Sequence, residues 1–321
     1  MKRGPFIAQR EASWKRLAEL VAELEALRAT PSRASAPAEL LPLYRRVCQD
    51  LALARRRMYG GALVERLNAL VLAARNHVYR DRSRPLASAV RFIARDFPRL
   101  VRSEAGFFWL STIVYLVPLV AMMLISSERP DLLFAAVDPA MVQQFEEMYN
   151  PSEGHTDGRS ADDAIAMFGF YISNNVGGDI KAFAGGALWG VGTLLFLIYN
   201  GLVHGSVFGH VTQIGFGGEL WPFVCGHAVL ELSGLFVASA AGLRLGAALV
   251  APGRRSRSRA LRENGARALQ LFLGAVAMTV GAAFIEGFWS ASAAAVEVKF
   301  AVGACTSLAT ASYLLLAGRG E

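Results

Sequence analysis

The alternation of apolar and polar positions changes character several times along the chain, and those changes divide it. From residue 6 to 28, Phe6, Ile7, Trp14, Leu17, Leu20, Val21, Leu24 and Leu27 recur at helical spacing, the mark of an amphipathic helix. Thr30-Pro31 ends it, and Pro37 suits the first turn of the next. A second helix, over about 38–58, groups Leu41, Leu43, Tyr44, Val47, Leu51 and Ala54, with Gly60-Gly61 as its stop. A third, over about 62–79, carries Leu63, Leu67, Leu70, Val71, Ala74 and Val78. Together they predict a small helical hairpin or bundle, with Trp14 and Tyr44 in its core rather than in a cofactor site.

Segment 83–103 is patterned differently. Arg91, Arg95, Arg99 and Arg102 fall on one helical stripe, Phe92, Ile93, Phe97, Leu100 and Val101 on other faces, and Pro98 marks a bend. A basic amphipathic helix before a span reads as an interfacial element drawn to anionic lipid headgroups. A solvated charged face is the alternative. Ala105 to Ser126 then runs 22 residues without a charge, opened by Phe107, Phe108 and Trp109 as an interfacial belt.

Beyond it, residues 127–163 hold two Arg against nine Asp/Glu. Pro130, Pro139, Pro151 and Gly154-His155-Thr156-Asp157-Gly158 predict short helices and a turn, with His155 a solvated loop residue. Residues 164–178 are apolar on one side and too short to span, which predicts an interfacial or re-entrant helix. Asp179 and Lys181 mark its water boundary, and the chain crosses at 182–200, with Asn200 near the end of that crossing.

Charge sets the expected topology. Residues 1–102 contain 21 Lys/Arg against nine Asp/Glu, and loop 251–267 has six Arg and one Glu. Cationic segments stay cytoplasmic, so both termini and loop 251–267 are expected inside and 127–163 outside. A span at 226–250 then runs inward, and 201–224 crosses outward as a short or broken helix. Arg244 snorkels to the inner boundary. Spans at 268–287 and 297–317 complete about six crossings, with Glu286, Glu297 and Lys299 near the outer boundary. The expected fold is all-α: a polytopic membrane helical bundle (104–321) behind a cytoplasmic helical domain (1–103).

Composition agrees. The chain is 54% hydrophobic and 18% charged, against about 45–50% and 25% for a soluble domain. Cys48, Cys225 and Cys305 have no metal-ligand or redox spacing. Met1-Lys2-Arg3-Gly4-Pro5 precedes no apolar run, so no signal peptide is expected.

Glycine and ionisable residues carry what chemistry there is. Gly201, Gly205 and Gly209 form one small-residue ladder, and Ala238, Gly242 and Gly246 a second, while Gly186 and Gly190 lie just upstream. Such ladders let helices approach closely. Asn200, His204, His210, His227 and Glu231 form a candidate buried polar site, because polar groups at bilayer depth face partners or wet cavities. His227 and Glu231, four apart, share a helix face. Three uses remain open: interhelical hydrogen bonding, a cavity handling a proton or ligand, and a metal or hydrolytic site. One His-x-x-x-Glu pair is not a metal-ligand set, so no metal, cofactor or catalytic residue is assigned. No nucleotide loop, serine nucleophile elbow or nucleic-acid module is visible, and the N-terminal basicity fits lipid better than nucleic acid.

An ordered series of motifs resembles the stage II sporulation protein M family. It begins with Phe6-Ile7-Ala8-Gln9-Arg10, Trp14 and Leu17, then Leu43-Tyr44-Arg45, Asp50-Leu51-Ala52, Leu67-Asn68, and Phe97-Pro98 with Arg102. It continues through Asn174-Asn175, Phe183-Ala184-Gly185-Gly186, Gly190-Val191-Gly192-Thr193, Asn200-Gly201, Gly226-His227, Glu231-Leu232, Ala241-Gly242-Leu243 and Pro252-Gly253. The family pattern often has proline before this histidine, where the chain has Cys225-Gly226. The resemblance implies a bacterial inner-membrane protein of the cell envelope. In sporulating members it also implies work beside cell-wall-degrading partners. The leading expectation is a non-enzymatic scaffold in envelope or peptidoglycan remodelling, a homodimer contacting membrane lipids and an envelope hydrolase or other membrane subunits. The alternatives are a permease or lipid-handling transporter using His227 and Glu231, and an intramembrane metal hydrolase.

Overall fold

A computed structural model describes residues 3–26, 38–78, 85–129, 137–153 and 160–320. Leu27, the stops at Thr30-Pro31 and Pro37, Pro130 and the turn containing His155 lie outside them. Every regular element among the described residues is helical. The chain divides into two compact units, Met1–Ser88 and Ala89–Glu321.

The first unit contains α1 (Arg3–Ala26), α2 (Leu40–Arg56) and α3 (Gly61–Val78). Their apolar stripes meet in one core in which Phe6, Trp14, Leu17, Val47, Ala54, Leu67 and Ala74 are buried. An indole N–H enclosed this way needs an acceptor, and Trp14 donates to the Asp50 carboxylate at 2.9 Å. Arg66 lies 5.9 Å from the Trp14 ring centroid and bonds Glu11 at 2.6 Å. That bond holds the Glu11 carboxyl below its usual range.

The basic segment packs with the second unit. α4 (Pro85–Arg91), a π-helical stretch (Phe92–Asp96) and α5 (Phe97–Ser103) lead into α6 (Ala105–Glu128). The lipid-facing stripe does not survive intact. The last carbonyls of a helix lack partners within it, and here arginines supply the donors. Arg102 donates to the Leu314 and Ala317 carbonyls, both at 2.7 Å, and Arg99 to that of Gly318. Arg95 is half-buried, and Arg91 alone of the four is exposed, 3.8 Å from Asp96. Arg244 reaches the start of the Ala105–Ser126 span. It pairs with the buried Glu104, which also lies 4.0 Å from Arg267.

After α7 (Pro139–Tyr149), α8 (Ala161–Tyr171), a π stretch (Ile172–Val176) and α9 (Gly177–Ala184) follow without a break. Next come α10 (Val191–Val211), a π stretch (Thr212–Phe216) and α11 (Gly217–Val224). The remaining elements are α12 (Ala228–Val250), α13 (Arg257–Phe284), a π stretch (Ile285–Ser290) and α14 (Val296–Leu316). Five segments are long and apolar enough to cross a membrane: Ala105–Ser126, Val191–Val224, Ala228–Val250, Arg257–Ser290 and Val296–Leu316. The protein is an all-α polytopic membrane bundle.

The α8–α9 run is more polar than these; it packs one face along the bundle and leaves the other exposed. Phe168 meets Phe284 and Phe288. Asp179 accepts from the Thr279 hydroxyl at 2.7 Å, and Phe183 stacks on Phe272 at 4.6 Å. The partners step down α13 as α8–α9 advances, so the two run antiparallel. The 15 residues from Phe168 to Phe183 cover roughly 22 Å of helix. The chain then reverses at Trp189 and Gly190, both with positive φ. The crossings expected at 182–200 and 201–224 are instead the end of the α8–α9 run, the reversal at 189–190 and one long apolar segment, Val191–Val224. Asn200 lies inside α10, its amide donating to the Phe196 carbonyl one turn back at 2.8 Å. The true interruption comes later, at Gly215 with φ 92°.

Both glycine ladders are used within the chain. Gly201, Gly205 and Gly209 lie against the Tyr115, Leu119 and Met123 carbonyls of α6, in parallel register. Gly186 lies against Gly242, and Gly190 against Gly246. Cβ atoms added at Gly186, Gly201, Gly205, Gly209, Gly242 or Gly246 would strike backbone first.

Gly205→Leu should therefore cost more than the roughly 1–3 kcal/mol of ordinary core overpacking, while Gly106→Ala, with open space around it, should cost almost nothing. Thermal unfolding in detergent reads the difference; equal stability of the two variants would refute the ladder. Asp50→Ala should destabilise the first unit by about 1–3 kcal/mol by orphaning the Trp14 N–H, measured by denaturant unfolding.

Candidate functional site

His227 stands at the N-terminal boundary of α12 and Glu231 one turn further on. The π stretch after α13 brings Glu286 and Ser290 to the same place. A π turn holds an extra residue, which redirects the side chains around it and is frequent at functional sites. The second π stretch, between α8 and α9, carries Asn174 and Asn175. Three separate runs of helix thus converge.

His227 is 5% exposed and Glu286 8%. The His227 Nδ1 lies 3.0 Å from the Ser290 hydroxyl, which leaves Nε2 to face the carboxylates. That nitrogen is 4.0 Å from Glu231 Oε2 and 4.0 Å from Glu286 Oε1. The other Glu286 oxygen accepts from the Asn175 side-chain amide at 3.1 Å, and the Asn174 amide donates to Asn175 Oδ1 at 3.0 Å. The Phe223 ring packs edge-on against the imidazole, and Lys299 donates to the Ser290 carbonyl at 3.0 Å. A buried imidazole beside two carboxylates can share protons or hold a cation, since each leaves negative charge compensated locally.

The five polar residues expected to form one site are not all together. His227 and Glu231 meet as their spacing implies. His204 instead bonds the Tyr115 hydroxyl at 2.7 Å and stacks on Phe208. His210 bonds Glu146 of α7 at 2.5 Å, tying the acidic segment to α10. Asn200 is occupied by its own helix. One residue lies elsewhere than the sequence places it: Asp179 is expected at the water's edge. Asp179 is instead buried against Thr279, whose hydroxyl also lies against Gly234 of α12. The Asn174-Asn175 pair within an apolar run was the available signal for a polar partner at that depth.

The family model for stage II sporulation protein M matches residues 107–291. A second model, described as a domain of unknown function (DUF8413), matches residues 4–80. No curated protein and no solved structure matches the chain. The first match covers more than half of the sequence and contains every residue of the His227–Glu231–Glu286 cluster together with Asn175 and Ser290, so the chain belongs to the stage II sporulation protein M family.

Proposed function

We propose that this protein is an assembly subunit of a cell-envelope remodelling system, seated in the bacterial cytoplasmic membrane. Its N-terminal unit recruits partners, and its bundle anchors them. The observation that carries this reading is a division of labour. The Met1–Ser88 unit closes its own core and leaves its charged residues, Arg45, Arg46 and Arg56 among them, largely exposed. The bundle spends its glycines on internal contacts, so it is packed before any partner arrives. Family membership supports an envelope role, and the partner class is an envelope hydrolase or another membrane subunit. The charge bias of residues 1–102 and 251–267 supports cytoplasmic termini. Membrane lipid covers the apolar outer faces of α6 and α14. A second copy, if present, packs on faces other than the glycine ladders, which α6 and the 185–190 turn already occupy.

A chain lacking residues 1–88 should still insert, yet co-purify none of the envelope proteins that accompany the full-length chain from native membranes. Recovery of the same set without that unit would contradict recruitment through it.

A second reading, a permease or lipid-handling transporter, is favoured by one observation. His227, Glu231 and Glu286 converge inside the bundle, and intramembrane ionisable groups of this kind mark ion and substrate paths. Reconstituted protein should then support a pH-dependent flux that Glu231→Gln abolishes. Flux indifferent to Glu231→Gln would remove this reading.

A further inference from the structure

We propose that His227 Nε2, Glu231 Oε2 and Glu286 Oε1 form a binding site for one divalent first-row metal ion of the Zn2+ or Mn2+ class. One ligand atom from each of the three residues lies within 4.8 Å of those of the other two. Donors held about 2.1 Å from a tetrahedral ion are spaced by about 3.4 Å. The imidazole-to-carboxylate separations of 4.0 Å therefore need only small carboxylate rotations to close. Glu231, whose side chain is 28% exposed, has the freedom to make them.

Chemistry selects the ion. Two carboxylates and a neutral imidazole carry a charge that one divalent cation neutralises, at a place where uncompensated charge is costly. A mixed nitrogen and oxygen set suits zinc, manganese or ferrous iron and disfavours cuprous copper, which prefers sulfur. Cys225, the nearest cysteine in sequence, directs its Sγ to the Pro222 and Lys299 carbonyls instead.

The surroundings are those of a built site. Metal-ligating histidines orient through the ring nitrogen that does not touch the ion, and Ser290 engages Nδ1 at 3.0 Å. Ligating carboxylates are themselves hydrogen-bonded, and Asn175 holds the distal oxygen of Glu286 at 3.1 Å. Each support comes from a π stretch, Asn175 from Ile172–Val176 and Ser290 from Ile285–Ser290. Three protein ligands would leave one coordination position for water or another ligand. The His-x-x-x-Glu pair supplies two ligands from one helix face, and Glu286 is the third that sequence spacing could not supply.

The site does not rest on the assembly reading, because co-purification of partners and flux report other properties. The test uses full-length protein without a polyhistidine tag, in lipid nanodiscs, stripped with chelator and titrated with Co2+ as a coloured substitute. Wild type should bind one equivalent saturably, with visible absorption that Zn2+ displaces. His227→Ala and Glu286→Gln should abolish that band. Asn175→Ala, which touches no metal, should weaken affinity by about 10–100-fold while retaining the stoichiometry. Gel filtration of each variant confirms folding. If His227→Ala fails to fold, Glu286→Gln and Asn175→Ala decide. Absence of saturable binding, or wild-type affinity in the folded variants, would overturn the site.

Discussion

Backbone contact at glycine decides which polar side chains meet in this bundle. Gly186 and Gly190 lie directly against Gly242 and Gly246, and this approach holds the α8–α9 run beside α12. From that contact, Asp179 reaches Thr279 and Asn175 reaches Glu286. In lipid there is no water to satisfy such groups, so each must find its partner within the chain. Thr193, whose hydroxyl donates to the Ala182 carbonyl at 2.7 Å, fastens the start of α10 to the same place. A side chain at Gly242 would separate the helices and strand polar groups that no solvent can reach.

The arginine-bearing end of the bundle obeys the same requirement with charge in place of close approach. The end of α14 exposes carbonyls that its own helix cannot satisfy, and Arg99 and Arg102 cover them. Phe97 fits against Gly274 of α13, and the Tyr313 hydroxyl donates to the Ile93 carbonyl at 2.6 Å. The segment that reads as a lipid-binding stripe is thereby a cap on the last helix. Glu104, at the junction of α5 and α6, draws Arg244 and Arg267 toward it. At the opposite end, His210 and Glu146 join α10 to the acidic segment. Ionisable residues stitch both ends, while the cluster around His227 sets two carboxylates about one imidazole.

Much of this was legible from residue order. The three N-terminal helices, the uncharged run at 105–126 and the shared face of His227 and Glu231 all follow from helical periodicity. What misled was the meaning of polar residues inside apolar runs. Asn200-Gly201 reads as a stop, but the amide bonds its own helix and the glycine makes room for Tyr115. Asp179 reads as a water boundary because burial of a carboxylate needs a partner, and Thr279 lies 100 residues away in sequence. The π stretches that aim Asn175 and Glu286 leave no signature in hydrophobic periodicity. Local pattern identifies helices; long-range packing determines whether an ionisable residue faces lipid, water or another side chain.

The most direct test is the environment of position 179, since the contact of Asn175 with Glu286 requires the inner face of α8–α9 to pack along α13. Asp179→Cys would be placed in a chain whose Cys48, Cys225 and Cys305 are replaced. It would then be exposed in sealed vesicles of either orientation to a membrane-impermeant maleimide. Burial against Thr279 predicts no labelling until the protein is denatured. Rapid labelling of the native protein from one side would place residue 179 at the water boundary and contradict the packing on which the His227 cluster depends.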